Sequence, residues 1–143
     1  MTLNLIKLCV GAQSVEALSS WQERRLESLR KAKKPLILQH ITRQMPKRRD
    51  EILDGGSLYW VIKGYTAVRQ HIVDLKQVAR EGIPHCAICY DPHLIPVMRR
   101  PQRPFQGWRY LEASDCPADL RALSGANDLP EELLAELSEL GLL

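Results

Sequence analysis

The sequence predicts an α+β protein in which one long N-terminal helix and a short second helix accompany strands that curl into a small, mostly antiparallel β-barrel. Three observations carry this. One amphipathic stretch of helical period lies near the N-terminus, five short strand-like runs follow almost consecutively, and Gly-containing dipeptides punctuate them. That order argues against alternating βαβ units. The 143 residues, 45% hydrophobic and 26% charged, suffice for one core and not for two full domains.

The first strand is expected over residues 3–10, where Leu3, Leu5, Lys7 and Cys9 alternate with Asn4, Ile6, Leu8 and Val10. Gly11 ends it. Ser14 is placed to cap a helix in which Val15, Leu18, Trp21 or Gln22, Leu26 and Leu29 recur at helical spacing, with Arg24, Arg25, Arg30 and Lys31 mostly off that stripe. Pro35 closes this helix and opens a second strand over 36–42, with His40 inside it. Residues 47–53 form a short helix after Pro46, anchored by Ile52 and Leu53, and Asp54-Gly55-Gly56 turns the chain. Strands over 57–62 and 66–78 pair as a hairpin through Lys63-Gly64, and Glu81-Gly82 makes the next turn. Strands over 84–90, 94–98 and 105–111 complete the set, the last after the proline-bounded linker 101–104.

Residues 1–111 thus read as one domain, and 112–127, rich in small, polar and Pro residues, as a connector. In 128–143, Asp128 stands as an N-cap with Glu131 at the third helical position and Leu133, Leu134, Leu137 and Leu140 on one side. The tail is expected to be an acidic amphipathic helix that docks on its own domain or on a protein partner. No run approaches the ~20 apolar residues of a membrane span, and the N-terminus lacks the features of a signal peptide, so a cytoplasmic location is expected.

Charge is distributed unevenly. Residues 1–111 carry 19 Lys+Arg against 9 Asp+Glu, whereas 112–143 carry 1 against 8. Within 24–50, ten cations face Glu27 and Asp50 alone, and 99–109 holds Arg99, Arg100, Arg103 and Arg109 with no acid. Such asymmetry points to a polyanionic partner, to an acidic tail that screens a basic surface, or to a solvated helix face.

Catalytic and metal-binding patterns are scarce. Cys86 and Cys89 lie three apart on a strand, so they point to opposite faces and read as buried residues rather than as a metal or redox pair. His40, His71, His85 and His93 lack metal-ligand spacing, no Gly-x-Ser-x-Gly elbow occurs, and Gly55-Gly56-Ser57 lacks the ending of a phosphate loop. No metal or cofactor is expected. Two clusters remain. Lys47, Arg48 and Arg49 precede the turn that leads to Tyr59 and Trp60, and Phe105, Trp108 and Tyr110 interleave with Arg103 and Arg109. Cations that neutralise phosphates beside planes that stack on bases are the combination used for single-stranded nucleic acids. The competing reading places these aromatics in the barrel core. Because Tyr59 and Trp60 face opposite sides, one is expected inside and the other presented.

The segments Ile41-Thr42-Arg43-Gln44-Met45-Pro46-Lys47-Arg48-Arg49, Gly55-Gly56-Ser57-Leu58-Tyr59-Trp60-Val61-Ile62-Lys63-Gly64 and Phe105-Gln106-Gly107-Trp108-Arg109-Tyr110-Leu111 resemble a family of short, uncharacterised bacterial proteins catalogued as a domain of unknown function. The short basic helix, Gly turn and following strand are also similar to the start of ASCH and related PUA-like domains. That resemblance implies a small barrel whose cleft takes RNA or modified bases. ASCH amidohydrolases carry Lys and Thr where Gly56 and Ser57 stand here, so the likeness implies binding rather than hydrolysis. The leading expectation is therefore a non-catalytic RNA- or nucleotide-binding module. Lys47, Arg48, Arg49, Lys63 and Arg69 would contact phosphate, Trp60 or Trp108 would stack a base, and Tyr59, Arg103 and Arg109 would complete the surface. The alternatives are a small hydrolase of a modified nucleoside using Lys63, Ser57 and Glu51 or Asp54, and a protein-interaction module.

Overall fold

The computed structural model describes residues 2–120, so the helix expected at 128–143 and residues 121–127 of the expected connector lie outside the described residues. The elements, in chain order, are β1 (Leu3–Leu8), α1 (Val15–Lys31), β2 (Leu38–Thr42), α2 (Arg49–Leu53), β3 (Ser57–Ile62), β4 (Tyr65–Arg80), β5 (Ile83–Tyr90), β6 (Ile95–Pro101) and β7 (Trp108–Glu112). A 3-10 turn over Ala113–Asp115 follows. No helix among the described residues is long and apolar enough to cross a membrane.

Local chemistry explains the boundaries. The Ser14 side chain accepts a hydrogen bond from the Ala17 amide at 3.0 Å, fixing the start of α1. At the other end Lys33 adopts a positive φ of 56°, which stops the helix ahead of Pro35. Both tight hairpins have consecutive positive φ angles, 51° and 80° at Lys63-Gly64 and 52° and 79° at Glu81-Gly82. Such two-residue turns match the right-handed twist of paired strands.

All seven strands belong to one mixed sheet, ordered β2-β5-β4-β3-β1-β7, with β6 also paired to β4. β1 and β3 are parallel, and the other pairings are antiparallel. The sixteen-residue β4 is the hub. Its first half lies between β3 and β6, its second half pairs with β5, and the β5 register shifts between Ile72 and Asp74.

The sheet is strongly curled. His40 on β2 meets Trp60 on β3 edge to face at 5.6 Å between ring centroids. Three strand spacings would separate these residues by about 14 Å if the sheet were flat. Likewise Trp108 at the start of β7 donates from Nε1 to the Gln44 carbonyl, just beyond β2, at 2.8 Å. The two ends of the strand order thus approach each other. An indole bond to a coil carbonyl joins them in place of a backbone ladder, so the α+β class stands and the sheet is open in its pairing.

The inner face of the curl holds the main core, including Leu3, Leu5, Leu38, Leu58, Trp60, Val68, Ile72, Ile88 and Tyr90, closed by Leu18 and Leu26 of α1 and Ile52 of α2. A smaller cluster of Ile6, Tyr59, Val61, Val97 and Phe105 lies on the opposite face of β1 and β3, with Cys116 packed against it. The helical stripe of α1, which the sequence left open between Trp21 and Gln22, runs through Gln22, 2% exposed, while Trp21 is 47% exposed. Gln22 and Gln70 exchange two amide hydrogen bonds of 2.9 and 2.8 Å, and Trp60 Nε1 donates to Gln70 Oε1 at 2.9 Å. A buried amide is stable where its polar atoms are satisfied, and each of these is.

Two stability predictions follow from this packing. Gln70→Leu removes the acceptor for Trp60 and both partners of Gln22, and should cost about 2–4 kcal/mol in urea melts. Gly56→Ala would place a Cβ at 2.2 Å from the Leu3 carbonyl oxygen and 2.4 Å from that of Ile52. Both neighbours are backbone, so β1 or α2 must move, and a loss above about 3 kcal/mol is expected in the same measurement.

Candidate functional site

Strand register gathers one set of side chains at one end of the sheet. β3 finishes at Ile62 before the Lys63-Gly64 tip, β6 finishes at Pro101 opposite Tyr65, and β7 begins at Trp108 opposite Lys7 near the end of β1. The Gln102 amide donates to the Gly64 carbonyl at 2.8 Å, which ties the linker before β7 to the hairpin tip. Gly64, Tyr65, Pro101, Gln102, Arg103 and Pro104 line a shallow open depression there.

This rim is basic and partly aromatic. Lys63, Arg103 and Arg109 are exposed, Tyr65 is 38% exposed and Trp108 is half-buried. Arg109 lies over the Phe105 ring at 4.9 Å, a cation–π contact that leaves its donors facing water. None of the three cations makes an ion pair among the described residues. Trp108 is held by its bond to Gln44 and by an edge contact with Tyr110 at 4.9 Å. A fixed, half-exposed indole is suited to stacking, because little freedom remains to be lost on binding.

The other expected phosphate contacts are placed differently. Arg48 grips Glu51 through Nε and Nη2 at 2.6 and 2.8 Å, reaches Glu112 at 3.2 Å, and covers the Tyr110 ring at 5.5 Å. Arg49 bonds Asp74 at 2.9 Å and the Leu75 carbonyl at 3.0 Å. Arg69 makes a two-pronged bond to Asp119, 2.9 Å on each prong, and a third bond of 2.8 Å to Ser57 Oγ. These three guanidinium groups join segments of the fold, and the carboxylates beside them neutralise their charge. The bonds hold Glu51 and Asp119 below the usual carboxylate range. Lys47 is exposed and makes no ion pair among the described residues.

Neither aromatic beside the Gly turn is presented. Tyr59 and Trp60 are both buried, one in each cluster, because the second face of β3 is also covered. The Tyr59 hydroxyl bonds Cys116, and burial raises its ionisation far above the ordinary range. The alternation correctly places the two on opposite faces; residues 113–119 supply the second cover, which local pattern does not reveal.

The two sequence-distant clusters do meet. The Arg48 amide donates to the Tyr110 hydroxyl at 3.2 Å, and the Gln44 carbonyl receives the Trp108 indole. By contrast the hydrolase constellation is not assembled. Lys63 and Ser57 sit at opposite ends of β3, about 20 Å apart along six extended residues. Ser57 is 1% exposed and bound to Arg69, and Glu51 is committed to Arg48. Asp54 lines a separate open surface with Asp50, Glu51 and Leu53. Cys86 and Cys89 are buried on β5, and desolvation raises both thiols, Cys86 to about 11, which suppresses thiolate chemistry.

Three residues beside this site were not singled out from the sequence. Tyr65 follows the hairpin tip; Lys7 and His40 lie on the inner face, half-buried. Burial lowers the Lys7 pKa, and burial together with the Lys7 charge lowers His40 to about 4, so His40 is neutral at pH 7. The available signal was the alternation of β1, which puts Lys7 on the same face as Leu3 and Leu5.

Fold and site together define a small α+β protein with an open, curled mixed sheet, one end of which carries Lys63, Arg103 and Arg109, without ion pairs among the described residues, beside Tyr65 and Trp108. The chain belongs to the family described as a protein of unknown function, DUF1489, whose model matches residues 5–143. No curated protein and no solved structure matches the chain.

The His40 environment sets a pH dependence. Its folded pKa lies below the unfolded value near 6.5, so the unfolded chain binds more protons between those values. Stability is therefore full above about pH 6.5 and falls as pH drops toward about 4. Thermal melts should show this loss, and His40→Gln should flatten it while leaving the further loss at lower pH, where Glu51 and Asp119 protonate.

Proposed function

We propose that this chain is a non-catalytic module that binds single-stranded RNA or nucleotides, on a PUA-like curled sheet, through the rim formed by Lys63, Tyr65, Arg103, Trp108 and Arg109. The observation that supports it is the division of cations. Arg48, Arg49 and Arg69 are bound to Glu51, Glu112, Asp74 and Asp119, whereas Lys63, Arg103 and Arg109 have no acidic partner among the described residues and stand with two accessible aromatics. Free cations release counterions when they meet phosphates, and Tyr and Trp planes accept unpaired bases irrespective of sequence. Lys47, exposed and without an ion pair among the described residues, extends the surface past Gln44 and Trp108. The separation of Lys63 from Ser57 favours binding over the hydrolase alternative.

Titration of the full chain with fluorescent single-stranded and duplex RNA at low and moderate salt tests this. Single-stranded RNA should bind more tightly than duplex, with affinity falling steeply as salt rises. Lys63→Ala, Arg103→Ala and Arg109→Ala should each lower the slope of log affinity against log salt by about 0.7. Trp108→Ala should weaken binding with little change in slope, while Arg49→Ala should lower thermal stability and leave the slope unchanged. Binding that ignores salt and these rim substitutions would refute the assignment.

A further inference from the structure

Inside the rim, the inner face carries a cation that has no counter-charge among the described residues. Lys7 is directly opposite Trp60 on β3 and directly opposite Trp108 on β7, so the three side chains stand in one row across adjacent strands. Trp60 closes the row at the core side, 3% exposed, with the His40 ring set against it, and Trp108 is half-buried at the other side. Lys7 makes no hydrogen bond or ion pair with any described residue, and the same holds for the His40 ring nitrogens. A half-buried ammonium flanked by indoles and without a carboxylate is a cost to the fold.

Resting on the RNA- or nucleotide-binding reading, we infer that Lys7, with His40 beside it and Trp108 as a wall, forms a seat for the phosphate monoester of a nucleotide or of an RNA end. A terminal phosphate suits the place for two reasons. It enters a half-buried site from one side, whereas an internal phosphodiester must carry chain away in both directions. Its second negative charge compensates a desolvated ammonium better than a diester does. Neutral His40 retains one ring N–H as a donor to a phosphate oxygen. A base attached to that phosphate lies within reach of Trp108, the inner-face aromatic at the rim, while its neighbour Arg109 lies on the other side of the strand over Phe105. The rim then holds the strand and the seat reads its end.

The test compares the full chain with two RNAs of one sequence, 5′-phosphorylated and 5′-hydroxyl, and adds AMP and inorganic phosphate as competitors. The phosphorylated RNA should bind at least about fivefold more tightly, and Lys7→Met should abolish that preference while keeping affinity for the hydroxyl form. Because methionine fills the same space without a charge to desolvate, Lys7→Met should also raise the melting temperature by about 3 °C; a purely structural lysine would give a fall. Lys7→Arg provides a charge-preserving second variant and should retain the preference. Competition by AMP would identify a free nucleotide as the source of the phosphate, and competition by the phosphorylated RNA alone would identify a strand end. Equal affinity of the wild-type chain for both RNAs, or a preference that survives Lys7→Met, overturns the seat and leaves rim binding intact. Failure of both RNAs to bind overturns the rim reading and the seat together.

Discussion

The amide of Gln70 is the contact on which the arrangement of the core depends. It lies at the middle of β4, fully buried, and joins α1 through Gln22, β3 through Trp60 and the end of β5 through the Asp91 carbonyl. Hydrophobic packing alone would allow α1 to slide along the sheet by a residue or a turn. A reciprocal pair of amide bonds has one good register, so it fixes the helix position at the cost of burying polar atoms. It also sets the Trp60 indole, against which His40 and Tyr90 rest their rings. The curl of the sheet is thereby coupled to the placement of the helix.

The two ends of the sheet use arginine for different purposes. At one end Arg48, Arg49 and Arg69 join segments distant in sequence: the residue before α2 to β7, α2 to β4, and β4 to the chain beyond β7. Partly exposed pairs of this kind contribute little individually, typically below about 1 kcal/mol. Their geometric value is larger, since the planar fork of Arg69 meets both oxygens of Asp119 and fixes the approach of the residues that cover Tyr59. At the other end the same residue type makes no ion pair among the described residues. A formal charge count treats both ends alike, and only the pairing distinguishes them.

Much of the fold was legible because local rules governed it. Ser14 capped the first helix, the Lys63-Gly64 and Glu81-Gly82 turns set two hairpins, and alternation put Tyr59 and Trp60 on opposite faces. The site was less legible because it depends on long-range pairing. Nothing near Arg48 announces Glu112, and nothing near Arg69 announces Asp119. Conversely, Lys7 was hidden by its setting in an apolar strand, although a lysine on the face of Leu3 and Leu5 was the clearest departure from pattern in the first ten residues. Strand ends also moved: the expected sixth and seventh strands start later and run past their expected ends, because β6 follows the ladder along β4 to Pro101 and β7 follows β1 to Glu112.

The position of β1 between β3 and β7 has a consequence for synthesis of the chain. β1 can pair with β3 once residue 62 has been made, but its other edge is completed only by Trp108–Glu112. At roughly 5–20 residues per second, the intervening stretch of about 50 residues keeps that edge unpaired for about 2–10 s. An apolar strand with a free edge is a template for pairing with another chain. The charge of Lys7, at the last paired position of that edge, opposes such pairing during the interval, so one residue serves the nascent chain as a gatekeeper before β7 is made.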